Sequence, residues 1–166
     1  MKKITKQQLL DYMAPCSLLC YSCPGFARGI IIELSKKLHN YFKGYYDFQV
    51  ESLPEEYKSY AELFRKFDET LLHYIKPKCN GCRNNPNPEC CIKGCFIHEC
   101  TKEHGIDYCG ECSVFPCSKV DTTLFNLTVY NRWLRGNKRI KEIGVVQFFE
   151  EEKNKSHYID FIKDSS

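Results

Sequence analysis

The sequence predicts a mainly α protein in which several helices pack with an irregular, cysteine-rich lobe. Apolar residues recur every three or four positions on both sides of residues 77–118, which is the periodicity of helices that face a core. Residues 77–118 are rich in Gly, Pro and Asn and carry nine of the twelve cysteines, so we expect loops and turns there. The length of 166 residues predicts one domain, residues 1–166. We divide it into an N-terminal cysteine knuckle (14–26), a helical spacer (27–76), the cysteine-rich lobe (77–118) and C-terminal helices (119–166).

The N-terminal part of the chain predicts two helices. Thr5 and Gln8 have the spacing of a capping box, which begins a short helix that Ala14–Pro15 ends. In the spacer, apolar residues at helical spacing predict a second helix, and Gly44 is placed to end it. These apolar residues are Ile30, Ile31, Leu34, Leu38 and Phe42.

A third helix is predicted after Ser52, because Ser52 and Glu55 fit a second capping box. Large, mostly aromatic side chains then alternate steps of three and four residues, which places them on one face of a helix. The stripe consists of Tyr57, Tyr60, Phe64, Phe67, Leu71 and Tyr74. We interpret it as a core-facing surface or a seam between helices, and the alternative is a stacking platform for a ligand.

Two more helices are predicted in the C-terminal part. The first is marked by Leu124, Leu127, Tyr130 and Leu134. We expect it to end at Gly136–Asn137, since both residues are common after the last turn of a helix. A short amphipathic helix then follows Gly144 and ends in Glu150–Glu152. The tail at 156–162 fits a strand or a helical turn equally well.

The chain has neither the apolar core of a signal peptide nor a run long enough to cross a membrane. We therefore expect a cytoplasmic protein with no membrane association. Cytoplasmic thiols are kept reduced, so clustered cysteines indicate metal ligands rather than disulfides. The formal net charge of +3 counts every thiol as neutral, and thiolate–metal sites would lower it. General nucleic-acid binding therefore does not follow from charge.

All twelve cysteines are candidate metal ligands, and their spacing explains why. Two residues between a pair of cysteines let a tight turn point both sulfurs at one ion about 2.3 Å away. Cys79-x2-Cys82 and Cys109-x2-Cys112 are the clearest such pairs. The N-terminal triplet has no fourth candidate nearby, so we expect it to take one from the later block. The candidates are Cys16, Cys20, Cys23, Cys79, Cys82, Cys90, Cys91, Cys95, Cys100, Cys109, Cys112 and Cys117.

Four thiolates suit zinc and iron–sulfur clusters alike, and the spacing favours zinc. The Cys16-x3-Cys20-x2-Cys23 group copies the cluster motif of radical S-adenosylmethionine enzymes, but the alternating strands and helices of those enzymes are missing. Adjacent residues generally point their side chains apart, so we expect Cys90 and Cys91 to serve different sites, or one to bind while the other packs. His98 and His104 are either nitrogen ligands or surface residues.

These motifs resemble a family of small cysteine-rich proteins catalogued as domain of unknown function 3795 (DUF3795). The family's Cys-Gly-x-x-Cys-x-x-Cys-Pro-x-aromatic stretch matches Cys16–Phe26, with Ser17 in place of the glycine. Its Cys-x-Gly-Cys knuckle matches Cys79–Cys82, and its closing Phe-Pro-Cys matches Phe115–Cys117. The resemblance covers about residues 14–144, with a long spacer. It implies a metal-binding domain and no particular reaction.

Together these features predict a metal-stapled interaction or adaptor module with two to three structural zinc sites and a protein partner. The alternative is an iron–sulfur electron-transfer protein or accessory subunit. An enzyme is the least favoured class, because no catalytic triad, phosphate loop or dinucleotide motif is present. Nucleic acid is a less favoured partner, suggested by a basic run beside Trp133 that also fits a solvated helix face. That run is Arg132, Arg135, Lys138, Arg139 and Lys141.

Overall fold

A computed structural model describes residues 4–76, 79–84 and 92–162, and this part of the protein is mainly α, as predicted. β-Pairing within these ranges is limited to two isolated bridges, Met13 with Leu19 and Phe26 with Cys79. The helices are α1 (Lys6–Tyr12), α2 (Ile30–Phe42), α3 (Tyr45–Ser52), α4 (Lys58–Ile75), α5 (Ile97–Glu103), α6 (Leu127–Ile143) and α7 (Val145–Glu152).

Helices α2, α3 and α4 form a lobe of their own, built where the spacer was predicted to be helical. α2 ends at Phe42, and Gly44 adopts a φ of +83°, which turns the chain into α3. The Phe42 ring packs against Phe64 of α4 at 4.9 Å between centroids and against Phe67 at 6.2 Å. The interpretation of the stripe as a seam between helices is correct at Phe64 and for one side of the Phe67 ring, which otherwise stays exposed. The stripe residues Tyr57, Tyr60 and Tyr74 are exposed.

The capping box predicted at Ser52 and Glu55 does not form. Ser52 is the last residue of α3, and Pro54 takes an extended ψ of 154°, so helical hydrogen bonding restarts only after it. A 3-10 turn at Glu55–Tyr57 leads into α4, which begins at Lys58. The prediction was wrong because the residues before Ser52, whose helicity it did not foresee, form α3 and pack against α4.

A second body of structure surrounds α6, which contributes to two apolar clusters. Ile140 belongs to one cluster and Trp133 to the other. The first cluster joins α6 to α1 and α7 through Leu9, Met13, Leu19, Tyr108, Ile140, Phe148 and Phe149. The second joins α6 to the cysteine-rich segments through Ala14, Cys16, Ile97, Phe115, Val120, Phe125 and Trp133. The core therefore lies on both sides of α6, next to the cysteines.

The predicted end of α6 at Gly136–Asn137 is wrong. The helix continues to Ile143 and ends at Gly144, which has a φ of +79°. Gly136 and Asn137 are buried inside it. A Cβ on Gly136 would lie 2.6 Å from the Ser17 hydroxyl, so glycine here allows close approach of the loop rather than the end of a helix.

The remaining short elements follow the sequence more closely. The capping box of Thr5 and Gln8 begins α1, and α7 ends at Glu152, both as predicted. The tail forms a 3-10 turn at Ile159–Phe161, which decides between the two alternatives in favour of a helical turn. Within the cysteine-rich lobe, α5 was not predicted. In the described ranges, no helix has the length and apolar character needed to cross a membrane.

Candidate metal centres

The first group of thiols combines the N-terminal triplet with Cys79. Cys16, Cys20 and Cys23 lie on the loop between α1 and α2, which includes a 3-10 turn at Cys20–Ser22. Cys79 arrives from beyond α4 and pairs with that loop. Its carbonyl accepts from the Ala27 N–H at 2.8 Å, and its N–H donates to the Gly25 carbonyl at 3.1 Å. Backbone pairing thus holds Cys79 beside the triplet.

The electrostatics of Cys20 indicate how close these thiols lie. Burial, together with the neighbouring Cys16, Cys23 and Cys79 thiols, raises the pKa of Cys20 to about 12. The four thiols therefore form one interacting group. Cys79 comes from the later block, and its role as the fourth ligand of the triplet stays a prediction.

The knuckle after Cys79 is shaped by Gly81. Gly81 has a φ of +84°, and a Cβ there would lie 3.2 Å from the Phe26 ring. Its N–H donates to the Cys79 sulfur at 3.3 Å. Backbone N–H groups that point at a sulfur stabilise its thiolate form. The Asn80-Gly81 turn thus provides a backbone donor to the Cys79 sulfur.

The second group consists of Cys100, Cys109, Cys112 and Cys117. Cys100 lies on α5, and Cys109 begins a 3-10 turn that brings Cys112 around. All four residues line one cavity of about 120 Å³. Burial raises the pKa of Cys100, and the nearby Cys117 and Cys112 thiols add to that effect. The structure thus gathers these four cysteines around a common space.

Trp133 approaches the second group from α6. The pKa of Cys109 is raised to about 12, chiefly by burial and also by Cys16, Cys100 and Cys112, while the Trp133 indole N–H opposes the rise. Trp133 is 1% exposed, and its Nε1 forms no regular hydrogen bond within the described ranges. The indole is a buried donor beside a sulfur, and it is too deeply buried to stack on a nucleic-acid base.

The two candidate histidines differ in position. His104 lines the cavity of the second group, with Nδ1 at 3.9 Å from the Cys100 sulfur and 2.8 Å from the Cys100 carbonyl oxygen. His98 is half-buried and does not line that cavity. His104 is therefore the histidine placed to interact with a thiol.

The other candidate cysteines are placed as follows. Cys82 and Cys95 are half-buried and pack against the apolar cluster that contains Trp133. Cys90 and Cys91 lie outside the described residues. As the side chains stand, no three His, Cys, Asp or Glu residues in the described ranges are arranged to hold a metal ion. The two groups therefore gather thiols without placing them in coordinating positions.

Comparison with known proteins identifies the family. Residues 12–122 match the family described as a protein of unknown function, DUF3795. The chain belongs to the DUF3795 family. No curated protein and no solved structure matches this DUF3795 chain. The match confirms the resemblance, and its range spans both groups of thiols from Cys16 to Cys117. The family description carries no ligand or reaction.

Asn137 is a residue of this DUF3795 protein that sequence reasoning missed. Its side chain is fully buried, and its amide nitrogen lies 3.2 Å from the Cys16 carbonyl and 3.0 Å from the Ser17 hydroxyl oxygen. Its amide oxygen accepts from the Gly110 N–H at 2.8 Å. Asn137 therefore ties α6 to the loops of both groups. A Gly-Asn pair in the sequence indicates only the end of a helix, so no local pattern marks this role.

Arg83, directly after the Cys79–Cys82 pair, was also missed. Its guanidinium donates to the carbonyls of Leu10 and Met13, at 3.1 and 2.6 Å, and to that of Asp107. It also stacks over the Tyr108 ring at 5.0 Å. Arg83 thereby ties the knuckle of the first group to the segment that precedes Cys109. A charged residue next to a knuckle is the only sequence signal for it.

Proposed function

We propose that this DUF3795 protein binds metal ions through thiolates at two centres, with zinc as the metal. The first centre would be held by Cys16, Cys20, Cys23 and Cys79, and the second by Cys100, Cys109, Cys112 and Cys117. The observation that carries the proposal is the convergence of each set of four thiols from separate segments. Four thiolates are a donor set that suits zinc.

The surroundings of the sulfurs support this proposal. Thiolate ligands carry excess negative charge, and N–H donors directed at the sulfur disperse it. The first group has the Gly81 N–H at the Cys79 sulfur, and the second has the buried Trp133 N–H beside Cys109. A buried indole N–H without another partner is costly, and a thiolate acceptor would remove that cost.

The proposed centres would be structural. A closed four-thiolate site leaves no open coordination position for substrate, so the ion would hold loops together. The α2–α4 lobe lies between the triplet and Cys79 in the sequence, so the first ion would join the segments on its two sides. The second ion would likewise join Cys117 to α5, on the two sides of the Cys109–Cys112 turn. Binding would draw the sulfurs inward from their present positions and release their protons. The role that fits such centres is an interaction module for a protein partner.

One observation favours a second candidate, an iron–sulfur electron-transfer protein. The two groups are neighbours, because Cys16 of the first acts on the pKa of Cys109 in the second. The Cys109 N–H also donates to the Pro15 carbonyl at 2.9 Å, next to Cys16. Two adjacent clusters would allow electrons to pass between them. Cysteine thiolates hold such clusters as readily as zinc.

The test is metal analysis of single-cysteine variants purified without oxygen. Cys20→Ser and Cys112→Ser should each lose about one ion per chain, since each removes a ligand from a different centre. Ser113→Ala, an exposed neighbour of Cys112, is the matched control and should keep the wild-type metal content. Wild-type metal content in both cysteine variants would contradict the proposal.

A further inference from the structure

A cavity of about 220 Å³ lies between α6, α7 and the turn at Ser17. None of its described lining residues is a cysteine, so it is separate from the space inside the second group of thiols. Its charged lining residues are Arg132, Arg135, Arg139, Glu151, Glu152 and Lys155. The volume is below the range of ordinary metabolite pockets, so only a small ligand fits.

The positive charge in this cavity is unevenly compensated. Arg132 and Arg135 share Asp160, with 2.7 Å between Arg135 Nη2 and Asp160 Oδ1 and 3.6 Å between Arg132 Nε and Asp160 Oδ2. In the described ranges, Asp160 is the only carboxylate within ion-pair distance of either arginine. Burial lowers the pKa of Arg132, and the carboxylates of Asp160 and Glu152 oppose this effect. The Arg132 guanidinium also donates to the His157 carbonyl. The cavity lining together with Asp160 thus holds four cationic side chains and three carboxylates.

The rest of the cavity is electrically balanced. Arg139 binds Glu151 through two N–H groups, at 3.0 and 2.7 Å, and Lys155 lies 2.5 Å from Glu152. The two carboxylates in the lining would repel an extended polyanion such as nucleic acid. The local charge surplus therefore suits one compact anionic group.

Ser17 adds a hydroxyl group to the cavity wall. It has a φ of +67°, in the left-handed region that a residue other than glycine rarely adopts, and it is 5% exposed. Its Oγ accepts a hydrogen bond from the Asn137 side chain at 3.0 Å. Within the described ranges its own proton has no acceptor, so Ser17 retains a buried donor beside the arginines. Strained backbone of this kind is concentrated at ligand sites.

We propose that this cavity binds a phosphate group, as inorganic phosphate or as a small phosphate monoester. Arg132 and Arg135 would provide planar guanidinium donors, which match phosphate oxygens in geometry and charge. The Ser17 hydroxyl would donate one further hydrogen bond. Because Ser17 directly follows Cys16, a phosphate bound in the cavity would help to hold in place the loop that carries the first group of thiols.

The test is isothermal titration calorimetry of the full-length, metal-loaded protein in a buffer without other oxyanions. Inorganic phosphate and glycerol phosphate are titrated separately, with sodium chloride at matched ionic strength as the control. Saturable binding of either phosphate supports the proposal, and the tighter of the two identifies the source. Heats no greater than those of chloride in both titrations would overturn it.

Two variants and a control separate a built site from general charge attraction. Arg135→Gln should weaken phosphate binding about tenfold, because it removes a charged donor whose side chain is 61% exposed. Ser17→Gly should weaken binding severalfold while accepting the left-handed backbone without strain. Lys138→Gln removes the same charge from an exposed position of α6 outside the cavity and should change affinity less than about twofold. Equal losses in Arg135→Gln and Lys138→Gln would overturn the proposal.

Discussion

The side-chain oxygen of Asn137 accepts a hydrogen bond from the backbone N–H of Gly110 at 2.8 Å. Gly110 lies between Cys109 and Cys112, so this bond fixes the second knuckle to the middle of α6. The amide nitrogen of Asn137 faces the first cysteine loop, at 3.2 Å from the Cys16 carbonyl. One buried side chain therefore sets the distance between both groups of thiols.

Asn137→Ala should lower the free energy of unfolding by about 2–4 kcal/mol. The substitution leaves the Gly110 N–H buried without its partner, which costs about 1–3 kcal/mol, and it also removes the hydrogen bond to the Cys16 carbonyl. Urea denaturation measures the change. Asn131→Ala, an exposed asparagine on the same helix, is the control and should stay within about 0.5 kcal/mol of wild type. Equal stability of the two variants would contradict the anchoring role of Asn137.

Gly110→Ala should be strongly destabilising for a different reason. A Cβ at this position would lie 2.6 Å from the Asn137 backbone oxygen and 3.2 Å from the Ile140 side chain, so the knuckle must move away from α6. Overpacking of this kind costs about 1–3 kcal/mol. Gly25→Ala is the matched control, because its nearest contact would be the Cys23 sulfur at 3.9 Å. Thermal unfolding that is the same for both alanine variants would refute this reading of the packing.

The structure shows which parts of this protein are encoded locally. The capping box at Thr5 and the apolar pattern of α7 are local signals, and both predictions are confirmed. The helix end predicted at Gly136–Asn137 is wrong because both residues contact a loop that is distant in sequence. Their residue types reflect that packing and not the end of a helix. α5 was missed because the composition of its segment predicts turns. The packing against the core that accompanies this helix has no signal in the local sequence. Metal binding, zinc identity and the ligand roles of the twelve cysteines stay predictions.

Arg83→Gln should weaken the link between the knuckle of the first group and the rest of the protein. It removes charged, partly buried hydrogen bonds to the carbonyls of Met13 and Asp107, with an expected cost of about 2–3 kcal/mol. It should also speed the loss of metal to a competing chelator. Arg65→Gln, which breaks surface ion pairs with Glu62 and Glu69 on α4, is the control and should destabilise the protein far less than Arg83→Gln. If Arg83→Gln loses metal to the chelator at the wild-type rate, Arg83 does not stabilise the first centre.

His157 gives the stability a predictable pH dependence. Burial lowers the pKa of His157, the hydrogen bond to the Leu19 carbonyl opposes this, and Arg132 lowers it further. The folded state therefore binds its proton less readily than the unfolded state. The contribution of His157 is complete above the unfolded pKa of about 6.5 and is lost as the pH falls below it.

The measurement is urea denaturation at about pH 7.5 and pH 5.5 for wild type and His157→Gln. The wild-type protein should lose more stability over this interval than the variant, because the variant has no imidazole to protonate. His73→Gln, at an exposed position of α4, is the control and should keep the wild-type difference. An identical loss in wild type and His157→Gln would show that the buried imidazole makes no such contribution.

The most direct test of the central claim is elemental analysis of protein purified without oxygen, with zinc, iron and acid-labile sulfide determined per chain. The two proposed thiolate centres predict at least about two zinc ions and no sulfide, with a third ion allowed by the cysteines outside the two groups. Iron with matching acid-labile sulfide would contradict the zinc proposal and support the iron–sulfur alternative at the same cysteines. Protein that folds stably with neither metal would contradict the account.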